Sequence, residues 1–281
     1  MTMQTDVMYR PSGRFRSNHA GAHVSSEVGG FGVFRDQTPF LRYPDARRID
    51  LRATLRDPFG ETHVRRFEQR SAIDVYAVVD LSASMSFVGA VDRFAVACDI
   101  CAALAFSATR LGDRFGLIAG GDVVSARVFC PATRSRRAAL RAVDKLREES
   151  PAGASVEGLK DAAKRLGAAR KLVLLISDFR WSTRLTRSVF DLLALHDVLP
   201  VALVDSCELD PPRWGLLELR DPETARRRLM VMRPALREKW IDAEARRRDR
   251  LIELAAGRLR PPIFIENRFD PKSLSSRLMT A

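Results

Sequence analysis

The chain has 281 residues, 46% hydrophobic and 29% charged, with a net charge of +12. That balance excludes intrinsic disorder and supplies enough apolar surface for a large core without disulfides. No apolar run approaches the roughly 20 residues of a membrane helix, and the first residues lack the apolar core of an export signal, so the expected location is the cytoplasm.

Residues 1–70 combine many arginines with weak periodicity and read as an irregular N-terminal arm. His19 and His23 stand there as an isolated H-x-x-x-H, without the further ligands a zinc site needs. From residue 71 to 281 the pattern sharpens. Asp74–Val79 is a short β-branched run of the kind that forms a strand buried on both faces, and Phe87–Leu111 follows with an alanine-rich helical pattern. Cys98 and Cys101 share a face of that helix, with no second pair at zinc-site spacing, so they read as core residues. Arg114–Ala119 and Val123–Phe129 read as strands around Gly120-Gly121-Asp122. Ser135–Glu149 and Ser155–Leu166 read as helices, Lys171–Ser177 as a strand, Ser182–His196 as a helix and Val198–Val204 as a strand. Trp214–Arg220 with Arg228–Met232 forms a small hairpin, Arg233–Ala256 a long charged helix, and Ile263–Ile265 a last strand. Strands alternating with helices predict an α/β fold with a mostly parallel sheet and right-handed crossovers.

In such sheets ligands gather at the carboxyl ends of strands, and Asp80 and Asp178 each follow a central strand at once. Around Asp80 the sequence is VVDLSASMS, Val78–Ser86. Asp80, Ser82 and Ser84 alternate, so in an extended loop they converge on one side. Two chemistries use that pattern: capping of the next helix by Ser84 or Ser86, and the oxygen shell of a hard cation such as Mg²⁺, Mn²⁺ or Ca²⁺. The second strand-end carboxylate, Asp178, favours the cation. Other chemistry fits less well. Gly153 to Lys160 has the glycines of a phosphate loop, but its lysine is displaced and no Ser or Thr follows. No serine has the glycine-flanked elbow of a hydrolase, and neither His63 nor His196 sits at a strand's carboxyl end. Two alternatives stay open. A metal-dependent phosphoester hydrolase would use the same carboxylates. A basic nucleic-acid-binding protein would use the charge, although the arginines are scattered and not interleaved with aromatic residues.

Val79-Asp80-Leu-Ser82-Ala-Ser84-Met85 and Leu175-Ile-Ser-Asp178-Phe179 resemble a von Willebrand factor A (vWA) domain with a metal-ion-dependent adhesion site. Arg42-Tyr43-Pro44-Asp45-Ala-Arg47-Arg48-Ile49-Asp50, Val64-Arg-Arg-Phe67-Glu68, and Val204-Asp205-Ser-Cys-Glu208-Leu-Asp-Pro211 resemble the bacterial DUF58 family. The resemblance implies a Rossmann-type vWA-like domain over 71–281, extended by the hairpin and long helix. It also implies a non-enzymatic protein that works with a MoxR-type AAA+ ATPase in maturing or assembling a client complex. The compact form is similar to the MxaS-like branch, which accompanies methanol dehydrogenase clusters. By the same resemblance Asp80, Ser82, Ser84, Asp178 and Ser155 surround the ion, and an acidic residue of the partner completes its coordination. Two departures stand out: Pro44-Asp45-Ala46 replaces the family's Gly-Asp-Asp, and Gly153-Ala154-Ser155 puts Ala154 where the adhesion site carries a threonine.

Overall fold

The computed structural model describes residues 6–13, 15, 20–153, 155–220 and 227–280, with the backbone path alone for 20–33, 68–71 and 219–220. The chain divides into two compact units, one of Gly13–Ile73 and one of Met1–Ser12 together with Asp74–Ala281.

In the smaller unit, β1 (Ala20–Pro39) and β2 (His63–Ser71) pair antiparallel with several register shifts. Between them lie two 3₁₀ turns and the short helix α1 (Leu51–Arg56). Residues 1–70, read from the sequence as an irregular arm, thus hold a two-stranded ladder. Its bulges break the period-2 alternation by which a strand is recognised. Asp50 joins the pieces. One carboxylate oxygen accepts from the Arg52 and Ala53 amides at the start of α1, and the other from Gln37 and Arg65 on the ladder, both at 2.7 Å.

In the larger unit the elements run β3 (Asp74–Asp80), α2 (Arg93–Arg110), β4 (Arg114–Gly120), β5 (Cys130–Thr133), α3 (Arg136–Arg147), α4 (Glu157–Arg165), β6 (Leu172–Ser177), α5 (Thr183–Leu193) and β7 (Asp197–Val204). They continue with α6 (Ser206–Leu209), β8 (Gly215–Arg220), β9 (Arg227–Met232), α7 (Pro234–Ala255), β10 (Ile263–Glu266) and α8 (Pro271–Met279). The six-stranded sheet has the order β10-β7-β6-β3-β4-β5, parallel throughout except for the antiparallel edge strand β5. This is the α/β architecture the alternating pattern predicts.

The central strands are apolar without alternation because both faces are covered. Tyr76, Val78, Val173 and Leu175 pack with Leu159 and Ala162 of α4, Val189 and Phe190 of α5, and Leu251 and Leu254 of α7. Val75, Ala77 and Val79 alternate to the other face, where α2 and α3 lie. β8 and β9 form the expected antiparallel hairpin. The strand expected at Val123–Phe129 is displaced: those residues are turn, apart from one bridge from Val124 to Gly120, and the edge strand is Cys130–Thr133. Hydrogen bonds from the Gly121 amide to Val123 O and from the Ser125 amide to Ala119 O curl the chain there. Among the described residues no helix is long and apolar enough to cross a membrane.

Candidate functional site

β3 and β6 are neighbours in the sheet, with Val79 paired to Ile176, so Asp80 and Ser177 end adjacent strands at one edge. Asp80 is fully buried. Its Oδ1 accepts from the Ser82 amide at 2.7 Å, and its Oδ2 accepts from Ser177 Oγ at 2.6 Å and Trp181 Nε1 at 2.9 Å. Burial, and then the charge of Asp178, push the Asp80 carboxyl up to about 6, against the pull of its hydrogen bonds.

The buried hydroxyls of Ser82 and Ser84 lie 3.1 Å apart. Their loop is clamped by its neighbours: the Leu81 amide donates to Gly120 O, the Ala152 amide to Leu81 O, and the Ala83 amide to Gly153 O. Gly153 has φ of +105°, a conformation that favours glycine. Neither Ser84 nor Ser86 caps the next helix. α2 starts at Arg93 and is capped by Asp92, while Ser86 donates to Ala83 O.

Asp178 is committed to a cation of the protein itself. Its Oδ2 accepts from Arg93 Nη1 at 2.7 Å and its Oδ1 from the Arg180 amide at 3.1 Å. Arg93 is 3% exposed. It also donates to Ser84 O at 3.1 Å and to Glu208 Oε2 at 2.6 Å, and its guanidinium lies over the Phe87 ring. The network continues outward. Arg180 pairs with Glu208 at 3.1 Å and Glu244 at 3.2 Å, and Arg247 pairs with Glu244 at 2.7 Å and donates to Asp178 O at 3.0 Å. Phe179, between Asp178 and Arg180, adopts φ of +52°, held by the bond from its amide to Ser177 Oγ at 2.9 Å.

Asp80, Ser82, Ser84 and Asp178 therefore meet at one edge. Ser155 is used locally, accepting from the Glu157 amide at 3.1 Å ahead of α4. Ala154, the residue at the threonine position, lies outside the described residues, as do His19 and the side chain of His23. Cys98 and Cys101 are buried on α2, where burial pushes their thiols up, that of Cys98 to about 12. Sequence reasoning missed Arg93, Ser177, Arg180, Trp181 and Glu244. The clearest available signal was Phe179-Arg180-Trp181, an aromatic and basic run directly behind a strand-end aspartate.

The residues fit a small hard cation in part. Adjacent ligands in an octahedron of 2.0–2.1 Å bonds are about 2.9 Å apart, near the 3.1 Å of the hydrogen bond between the Ser82 and Ser84 hydroxyls. Asp80 Oδ1 accepts from the amide of Ser82, the residue that carries the first hydroxyl. Asp178 fits less well as a direct ligand because Arg93 and the Arg180 amide already engage it. Among the described residues no group of three or more His, Cys, Asp or Glu is placed so that it could hold a metal ion.

The family model described as "Protein of unknown function DUF58" matches residues 43–250. The chain belongs to the DUF58 family. This DUF58 chain is 27% identical over 207 residues to an uncharacterized protein of Mycobacterium tuberculosis H37Rv, covering 73% of this chain and 65% of that relative, so it spans under two thirds of the relative's length. It is 41% identical over 84 residues to an uncharacterized protein in the moxR 3' region of Paracoccus denitrificans, covering 30% of this chain and 76% of that protein. Among solved structures, the conserved hypothetical protein BatB from Bacteroides thetaiotaomicron aligns with a TM-score of 0.45 and 14% identity, over 74% of this chain and 97% of that one.

Proposed function

We propose that this DUF58 chain is a non-enzymatic, cytoplasmic protein-binding module of vWA type that recognises its partner through a divalent cation, Mg²⁺ or a similar ion such as Mn²⁺ or Ca²⁺. It acts with a MoxR-type AAA+ ATPase in maturing or assembling another complex, methanol dehydrogenase being the candidate client. The observation that carries this reading is the pair of buried hydroxyls, Ser82 and Ser84, set 3.1 Å apart beside a buried carboxylate. A bound cation offers an open coordination position to a partner's carboxylate.

Ser82 and Ser84 would hold the ion directly. Asp80 fixes the Ser82 amide and would accept from the ion's waters. Arg93 neutralises Asp178, so the edge carries one uncompensated carboxylate, Asp80, and a single cation or proton can balance it. The relative in the moxR 3' region supports the choice of ATPase. His196 is buried at the amino end of β7, the end of the sheet away from Asp80, so it is not poised as a general base at this edge. The test is affinity purification of the full chain in Mg²⁺ or in chelator, beside the Asp80→Ala variant. The ATPase and client should be retained only by the parent chain with cation. Equal recovery in all three samples overturns the reading.

A further inference from the structure

Beside the Asp80 edge, and separate from the hydroxyl pair, a cavity of about 410 Å³ opens between α7 and the start of α5. Its walls are Phe179, Arg180, Trp181, Arg246, Arg250 and Leu251, with other residues of the same segments, and among the described residues no acidic one lines it. The four arginines there divide into two kinds. Arg180 and Arg247 are spent on Glu208 and Glu244. Arg246 and Arg250 are exposed, stand one turn apart on α7, and have no acidic partner among the described residues. Two free guanidinium forks thus project beside an apolar floor of Trp181, Leu251 and Leu254. The indole is immobilised on its far side, since its N–H is held by Asp80 and its ring packs on Phe179 at 5.1 Å.

We propose that this cavity binds an acidic peptide segment of a partner protein, with two carboxylates on Arg246 and Arg250 and an apolar side chain on Trp181 and Leu251. Guanidinium pairs recognise carboxylates and phosphates bidentately. Phosphate sites, however, are usually cradled by backbone N–H groups of glycine-rich turns, and among the described residues no glycine lines this cavity. The volume is that of a small-ligand pocket, roughly 300–1,000 Å³. It suits a few side chains of an extended segment. The inference does not rest on the cation, because none of its residues is a cation ligand in the proposed function.

The experiment uses the full chain in chelator and a fluorescein-labelled, N-acetylated and C-amidated octapeptide alternating glutamate with leucine, followed by anisotropy. The parent chain should bind it. Arg246→Glu with Arg250→Glu, both at exposed positions and checked for an unchanged fold by circular dichroism, should weaken binding by about tenfold or more. Arg137→Glu with Arg141→Glu, an exposed pair at the same spacing on α3, changes the net charge equally and should leave binding in place. Absence of binding by the parent chain, equal binding of the glutamine-for-glutamate peptide, or equal losses in both double variants overturns the proposal. Displacement of the peptide by an equimolar amount of inorganic phosphate also overturns it, by assigning the cavity to phosphate.

Discussion

Arg93 donates to two carboxylates and a carbonyl from a position that water barely reaches, so its removal leaves Asp178 and Glu208 charged and uncompensated at the sheet edge. Breaking a buried pair on one side costs about 3–5 kcal/mol. Arg93→Ala should lower the free energy of unfolding by that order in urea titration, and Arg93→Lys should recover only part of it, because a lysine lacks the planar fork. Asp80→Asn tests a different role. It keeps the volume but loses the charge behind the hydroxyl pair, so Mn²⁺ affinity measured by calorimetry should fall about 10–100-fold, the usual effect of losing an outer-shell partner. His196 sets a pH dependence. Burial first, then Lys171 and Arg170, lower its pKa to about 4, below the ordinary 6.5. Between these values the unfolded chain takes up a proton that the folded chain refuses. The stabilisation is complete above pH 6.5 and is lost as pH falls toward 4, by about 3 kcal/mol at most. His196→Leu should remove that part of the acid-side loss in denaturant curves taken from pH 7 to 4.5.

Among the elements, α4 shows how closely the loops at this edge are fitted. A Cβ on Gly158 would stand 2.6 Å from the Val123 carbonyl carbon, and the Gly158 amide donates to Gly121 O at 2.8 Å. Gly158→Ala should therefore push α4 off the Gly120–Val124 turn at a cost of about 1–3 kcal/mol, measured by urea unfolding. The core elements were legible from their patterns: β3, β6 and β7 are continuous apolar runs, and the helices between them are long enough to cross over. The same patterns put Asp80 and Asp178 at one edge. Three things were hidden. The smaller unit's strands are bulged, so they do not alternate. α8 carries few apolar positions, with Leu274 and Leu278 alone buried, so it shows little of a helical stripe. The arginine network pairs residues far apart in sequence, 85 positions for Arg93 with Asp178, and nothing local in an alanine-rich helix marks Arg93 as a partner for a distant carboxylate.

At the scale of the molecule, the larger unit is completed by a segment that precedes the smaller one. Val7 and Tyr9 are buried; the Val7 amide donates to Ser107 Oγ at 2.8 Å, Tyr9 OH to Asp113 at 2.5 Å, and the Ser12 amide to Asp197 at 2.6 Å. These residues lie outside the 43–250 match to the family yet form part of the α/β unit. Tyr9→Phe should cost about 1–3 kcal/mol by taking a buried hydrogen bond from Asp113, seen as a melting temperature at least about 2–4 °C lower. Removal of residues 1–12 should cost more in the same assay.

Arg260 has a consequence of another kind. It donates to Arg10 O and Leu278 O while gripping Asp197 with two bonds of 2.6 Å, and the Arg10 amide bonds Leu278 O directly. The path of the α/β unit is thereby clasped into a ring at the amino end of β7. A pull entering through the chain near residue 10 or near residue 278 is carried by this clasp to Asp197, at the end of the sheet away from Asp80. The clasp at Asp197 and the carboxylate of Asp80 thus stand at opposite ends of the parallel strands.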